Sequence, residues 1–455
     1  MKKLIVVSSD SHAAMPSELW TEYFEKRFHE HLPQIQYESD LYSGSVVPLS
    51  KMIMGRPENM EDHFSPTGGY RGVYDRDVRL EQMDREGIAA ELIYHGDARV
   101  GDLAHNVTNS VWPFDVWDGG VRAYNRWAHD AFGSAPDRLL LIGAIGSCSD
   151  MDATVAELRW LADNGFTGTF APGFLTYPEM PPLFDPYWEP LWAECEAQGL
   201  ALVVHAGFGF EQGLLYERLD RVNREVKETG GSAMDLVVRL SQDVFTQEFF
   251  SDIKARRPMW QMMYGGVFDR HPSLKLVATE IRLDWIPTNL AHLDALFDEH
   301  KSELPAKRRP SEYWRENCLA GASFIHKAEV EMRHEIGVDT ILFGRDYPHP
   351  EGTWPNTSDW LRDAFAGVPE NELRAMLGEN GIRFFELDRS ALATIAEKIG
   401  PTLEDIVDGP PVDPDLVAMF DGRGGYLRPA EGDARIPEIA PMLEDDLEGV
   451  GSTAR

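Results

Sequence analysis

Eight short apolar runs, beginning at Leu4, Ala89, Leu139, Thr167, Leu200, Leu274, Asn317 and Thr340, recur along the chain with helical stretches between them. Alternation sustained over this length leaves few solutions, because strands joined by crossover helices run parallel and those helices must cover the sheet. Eight such units close as a (β/α)8 barrel, so the predicted fold is an α/β TIM barrel. An open doubly wound sheet competes with it. No Gly-x-Gly-x-x-Gly follows the first strand, which weakens that competitor.

Several helices are read with their stops. Asp77–Glu86 ends at Gly87, Asp152–Asn164 at Gly165, Trp188–Gln198 at Gly199 and Lys327–Ile336 at Gly337, each a C-cap glycine. A helix over Thr246–Tyr264 is expected to break near Pro258. Residues 1–390 are thus predicted to form the barrel, with long insertions over its mouth at 13–70 and about 208–245. Residues 391–455, rich in Pro, Gly and acid from Pro410 onward, read as an extended, partly disordered C-terminal extension.

Chemistry gathers at strand ends. Asp10 and His12 follow the first strand, His205 the fifth, Glu280 the sixth and Asp346 the eighth, with His349 three residues on. A parallel barrel presents catalytic groups and metal ligands at the C-terminal ends of its strands. The single residue between Asp10 and His12 puts both side chains on one side of extended backbone, and imidazole with carboxylate is what a borderline divalent cation accepts. Each has a blander reading: a loop histidine for His205, a turn-forming aspartate for Asp10, an ion-pair partner of Arg282 for Glu280. Four such residues at separate strand ends argue jointly for a metal site.

The net charge of −33 argues against nucleic acid and anionic membrane as partners, since both need a basic footprint. Cys148, Cys195 and Cys318 show neither CxxC spacing nor an even number, which suggests no disulfide framework and fits a reducing cytoplasm. The apolar run at the N-terminus is too short for a signal peptide. A small-molecule substrate is the expected partner. If it carries a carboxylate, Arg71, Arg282 and Arg345 are candidates to grip it, and His349 to contact it. Tyr70, Tyr74, Trp112 and Trp354 are candidates to line a pocket for a cyclic substrate.

Five stretches carry a family resemblance: Val7 to His12, Asp84 to Ile88, Pro190 through Gly207, His271 to Val277 with Trp285 to Pro287, and Phe343 to His349. In these the chain resembles the amidohydrolase superfamily, in the branch that includes aminocarboxymuconate semialdehyde decarboxylase and γ-resorcylate decarboxylase. The resemblance spans roughly residues 4 to 388. It implies one Zn²⁺ or Mn²⁺ held by Asp10, His12, His205 and Asp346, with Asp346, Glu280 or His205 in catalytic roles. A homodimer is implied by family habit. Departures are visible too. The first-strand pair is Asp-x-His where His-x-His is commoner, which favours a harder ion, and Glu280 stands where many members place a histidine. Arg345 occupies a position usually small, and strand four lacks the lysine of carbamate-bridged binuclear centres.

The expected function is metal-dependent hydrolysis or non-oxidative decarboxylation of a small, cyclic or carboxylate-bearing substrate. The rival from another class is a non-catalytic barrel whose metal is structural or vestigial and whose loops serve a partner. An open coordination position separates the two.

Overall fold

A computed structural model describes residues 3–53, 69–96, 111–232, 235, 239, 253–349, 352–425 and 435–453. Its strands are β1 (Val7–Ser8), β2 (His12–Ala13), β3 (Ala90–His95), β4 (Leu139–Gly143), β5 (Gly168–Phe170), β6 (Leu175–Thr176), β7 (Ala201–His205), β8 (Phe210–Glu211), β9 (Leu276–Thr279), β10 (Cys318–Ser323) and β11 (Ile341–Gly344). The main sheet runs β1-β3-β4-β5-β7-β9-β10-β11 with every pairing parallel, and β2 continues β1 alongside β3.

Main-chain hydrogen bonds join first strand to last. Ser9 N–H donates to Phe343 C=O (2.8 Å), Asp346 N–H to Asp10 C=O (3.1 Å) and His12 N–H to Tyr347 C=O (2.7 Å). These bonds place Asp10 and His12 beside Asp346. The eight predicted strands therefore appear within about three residues of their expected starts, and the barrel is the fold.

Local chemistry accounts for the helices that were legible. Asp75 caps Arg76–Glu86 by accepting from the N–H groups of Asp77 and Val78, and the helix stops at Gly87 with φ 73°. Gly199, φ 70°, ends Glu189–Gln198 in the same way.

Other expectations differ from what is seen. Residues 13–70, read as irregular, contain the helix Leu32–Ile53, whose Ile35 and Leu41 are buried; Gly44 and Pro48 had argued against it. Residues 54–68 of the first insertion and 233–234, 236–238 and 240–245 of the second lie outside the described residues, as does the start, 246–252, of the helix expected over 246–264. The polar stretch after 212 holds the helix Leu214–Glu228, whose Leu215, Leu219, Val222 and Val226 form a buried stripe at helical spacing. The helix Ile253–Tyr264 runs through Pro258 without a break. Beyond Pro410, where extended chain was expected, lie the helices Pro414–Gly425 and Ile436–Thr453. Ile439, Leu443 and Val450 of the latter are buried, an apolar stripe masked in sequence by the intervening acids.

Candidate metal centre

The first strand carries one extra residue between its halves. Ser8 pairs with Glu91 and His12 with Tyr94, so three residues, Ser9 to Ser11, lie opposite two, Leu92 and Ile93. Such a bulge re-aims side chains. At the other strand ends the backbone itself turns: Glu280, just past β9, and Asp346, just past β11, both have φ 51°. Aspartate enters the left-handed region more readily than most residues, but for glutamate it is uncommon, so Glu280 in particular is held there by its surroundings.

The predicted residues converge. Asp10, His12, His205 and Glu280 offer ligand atoms all within 4.8 Å of one another, and so do His12, Glu280, Asp346 and His349. His12 and Glu280 belong to both groups, so the set expected from sequence straddles the two. His12 Nε2 lies 3.4 Å from Asp10 Oδ1 and 3.4 Å from Asp346 Oδ1, and His205 Nε2 lies 3.6 Å from Asp10 Oδ1 and 3.2 Å from Glu280 Oε2. His349 stacks on the His12 ring at 4.0 Å and places Nδ1 3.0 Å from Asp346 Oδ1.

The far sides of these residues are held. His12 Nδ1 lies 3.2 Å from the His95 carbonyl and His205 Nδ1 2.9 Å from the Ala206 carbonyl. Protons on those Nδ1 atoms leave each Nε2 lone pair facing inward, the usual arrangement of metal-binding histidine. Ser323 donates its hydroxyl to Asp10 Oδ2. Among the described residues, the inward-facing Asp10 Oδ1, His12 Nε2, His205 Nε2 and both Asp346 oxygens are buried and make no hydrogen bond, four of these five atoms meeting only the ion-pair contacts given above. Leaving such atoms unsatisfied costs about 1–3 kcal/mol each. Ligand atoms about 2.1 Å from one ion stand about 3.0–3.4 Å apart, close to the spacing here. The residues present fit a divalent cation.

The field suits one as well. Burial alone would raise the Asp10 carboxyl, yet His12 and His205 hold it well below the usual carboxylate range. Burial opposes charge on His12, but Asp10 and Asp346 push its imidazole well above the ordinary value.

The expected substrate contacts fare unevenly. Arg345 is no clamp: fully buried, it pairs with Glu86 (3.2 Å) and Glu91 (2.6 Å), because a guanidinium beneath the rim must be matched by carboxylates there. Arg282, 6% exposed, pairs with Asp284 at 3.3 Å. Arg71 is exposed on the turn Gly69–Val73, and no hydrogen bond or ion pair ties it to the cluster among the described residues. Of the aromatics, Trp112 and Trp354 are buried, Tyr74 is exposed, and the side chain of Tyr70 lies outside the described residues.

Sequence reading missed the support beneath the cluster. Arg79 donates Nη1 to Glu91 (2.7 Å) and Ser11 Oγ (3.0 Å), and Nη2 to the main-chain carbonyl of His12. Its only sequence signal was an arginine on the buried side of a predicted helix. Ser323 gave none.

Comparison with known proteins agrees with this geometry. Residues 28–387 match a family described as amidohydrolase. Among similar solved structures is an amidohydrolase from Mycobacterium avium subsp. paratuberculosis K-10, at 19% identity and TM-score 0.57, covering 84% of this chain and 99% of that one. A 2,6-dihydroxybenzoate decarboxylase from Rhizobium aligns at 21% identity and TM-score 0.53, covering 85% and 99%. A 5-carboxyvanillate decarboxylase from Novosphingobium aromaticivorans DSM 12444, complexed with manganese and 4-hydroxy-3-methoxy-5-nitrobenzoic acid, aligns at 16% and 0.56, covering 84% and 96%. At these identities the likeness establishes the shared fold.

Proposed function

Since the chain belongs to the amidohydrolase family, we propose that it is a metal-dependent carboxy-lyase that removes CO₂ without oxidation from a small cyclic carboxylic acid. The observation that carries this reading is the set of five buried ligand atoms on Asp10, His12, His205 and Asp346 that converge without making a hydrogen bond. These four residues would hold the ion, Mn²⁺ or Zn²⁺. When bound, it supplies Lewis-acid charge for a substrate carboxylate and a neighbouring oxygen. Similarity to decarboxylases of aromatic acids favours this reaction over hydrolysis.

The remaining work falls to side chains. The bond from ring carbon to carboxylate breaks, CO₂ leaves, and the electron pair left on that carbon takes a proton. Glu280, with Oε2 3.2 Å from His205 Nε2, is placed to deliver the proton, and His349, beside Asp346 at the half-buried edge, to pass protons to and from solvent. Arg282, two residues beyond Glu280 and paired with Asp284 at 3.3 Å, is the arginine we assign to a second anionic group on the substrate.

Residues 1–390 carry this chemistry, with 391–455 as an extension. The buried, unbridged Cys148, Cys195 and Cys318 suit the cytoplasm, and the net charge of −33 suits a small-molecule substrate over nucleic acid or anionic membrane. A homodimer completes the proposal; light scattering tests it.

The test of activity is CO₂ release from a panel of hydroxylated aromatic acids by the Mn²⁺-loaded protein. His205→Ala and Asp346→Asn should each lose metal and turnover together. Full metal content with unchanged turnover in either variant would overturn the assignment.

A further inference from the structure

Tyr94 crosses the inside of the barrel under the ligand cluster. It stands on β3, second in the sheet, and reaches Thr279 of β9, sixth of eight and so on the far wall once the barrel closes. Its hydroxyl donates to the main-chain carbonyl of Ser9 (3.1 Å) and lies 3.1 Å from Thr279 Oγ1. A phenol has one proton, so Thr279 is the donor in the second bond. Ser9, Tyr94 and Thr279 are all fully buried. Gly321 makes room for their meeting: a Cβ there would lie 2.8 Å from Thr279 Oγ1 and 3.0 Å from Ser9 Oγ.

Each contact of Tyr94 falls on a cluster residue or on its immediate neighbour. Ser9 precedes Asp10, and Thr279 precedes Glu280. The Tyr94 ring lies 5.4 Å from that of His205 and 6.1 Å from that of His12, and those two imidazoles meet edge to face at 5.1 Å. The Tyr94 N–H donates to the carbonyl of Ser11 (2.8 Å), between the two ligands of the first strand. One residue thus bears on Asp10, His12, His205 and Glu280, the four whose ligand atoms gather within 4.8 Å of one another. Its hydroxyl also grips the two places where the strand ladder no longer aims side chains, the bulge Ser9 to Ser11 and the left-handed turn at Glu280.

We propose that Tyr94 is a positioning residue for the metal centre. Its hydroxyl fixes the separation of Asp10 from Glu280 across the barrel, and its ring sets the angle between His12 and His205. The inference rests on the metal site proposed above, not on the reaction assigned to it.

Two variants take the hydroxyl's bonds away from opposite walls. Tyr94→Phe keeps the ring and removes both bonds; Thr279→Val removes one. The probe is Co²⁺ on the full-length protein, with affinity read by calorimetry and coordination by the visible absorption of the ion. Affinity should fall about tenfold or more in Tyr94→Phe, as loss of an outer partner does, and less in Thr279→Val, with the absorption band moved in both. A tyrosine that only stabilises the fold would leave the band of the folded protein where it was. A band unmoved in the folded variants therefore overturns the proposal, whatever happens to stability, and Thr279→Val decides alone if Tyr94→Phe does not fold. A moved band in a protein that releases no CO₂ upholds Tyr94 and counts only against the reaction. A parent protein that takes up no Co²⁺ overturns both.

Discussion

Arg345 and Glu91 meet beneath the metal cluster, with Nη2 2.6 Å and Nε 2.8 Å from the same carboxylate oxygen while Arg79 takes the other at 2.7 Å. All three are fully buried. Arg345 adjoins Asp346 in sequence, and Arg79 holds the carbonyl of His12, so the network braces two of the proposed ligands from behind. Arg345→Met would strand Glu91 and Glu86 as partly matched buried charges, a loss of about 3–5 kcal/mol. Arg345→Lys should recover little of it, since a single ammonium cannot reproduce the fork. Denaturant unfolding measures both, and a loss under about 1 kcal/mol would show the pair to be dispensable.

Gly344 tests how tightly Asp10 is aimed. A Cβ there would lie 2.8 Å from Ser9 Oγ, 2.9 Å from Ser323 Oγ and 3.1 Å from Asp10 Cβ. Gly344→Ala should displace the hydroxyl that pins Asp10 Oδ2 and weaken metal binding about 10–100-fold, as loss of an outer partner does. Unchanged affinity by calorimetry would mean that Asp10 needs no such support.

Glu280 separates proton delivery from metal retention. Glu280→Gln keeps the shape and removes the acid, so turnover should fall about 10²–10⁴-fold. Metal content should stay near that of the parent, because Asp10, His12, His205 and Asp346 remain. Loss of the ion in this variant, read by elemental analysis, would make Glu280 a ligand instead.

Acidity should act on the metal through His12. Its imidazole is raised well above 6.5 in the metal-free protein, burial opposing and Asp10 with Asp346 prevailing, so its stabilising charge is complete below 6.5 and lost as pH rises through the raised value. An ion needs the neutral ring. Binding at neutral pH should therefore release about one proton, and affinity should climb with pH until the raised value is passed. Calorimetry in buffers of differing ionisation enthalpy reads that proton; none released would contradict the reading.

Much of this protein was legible one stretch at a time. Each barrel strand is a short apolar run and several helices end on a glycine, signals complete within a dozen residues. The ligand-type residues were visible for the same reason: Asp10, His12, His205, Glu280 and Asp346 each sit at or just beyond the end of a predicted strand, and closure of eight strands brings such ends together. The helices Leu214–Glu228 and Ile436–Thr453 were legible in principle through their apolar spacing, but charge and proline concealed them.

Partner choice was settled only in three dimensions. From sequence alone Arg345 looked like a substrate clamp beside a ligand; folding surrounds it with Glu86 and Glu91, residues more than 250 positions away, and a buried guanidinium must be neutralised where it lies. Ser323 behind Asp10, and Asp446 of the C-terminal helix against Trp260, are likewise contacts between distant segments. Local periodicity determined which elements form, whereas the burial of charge and the closing of the barrel decided which side chains gather in the cluster and which brace it from behind.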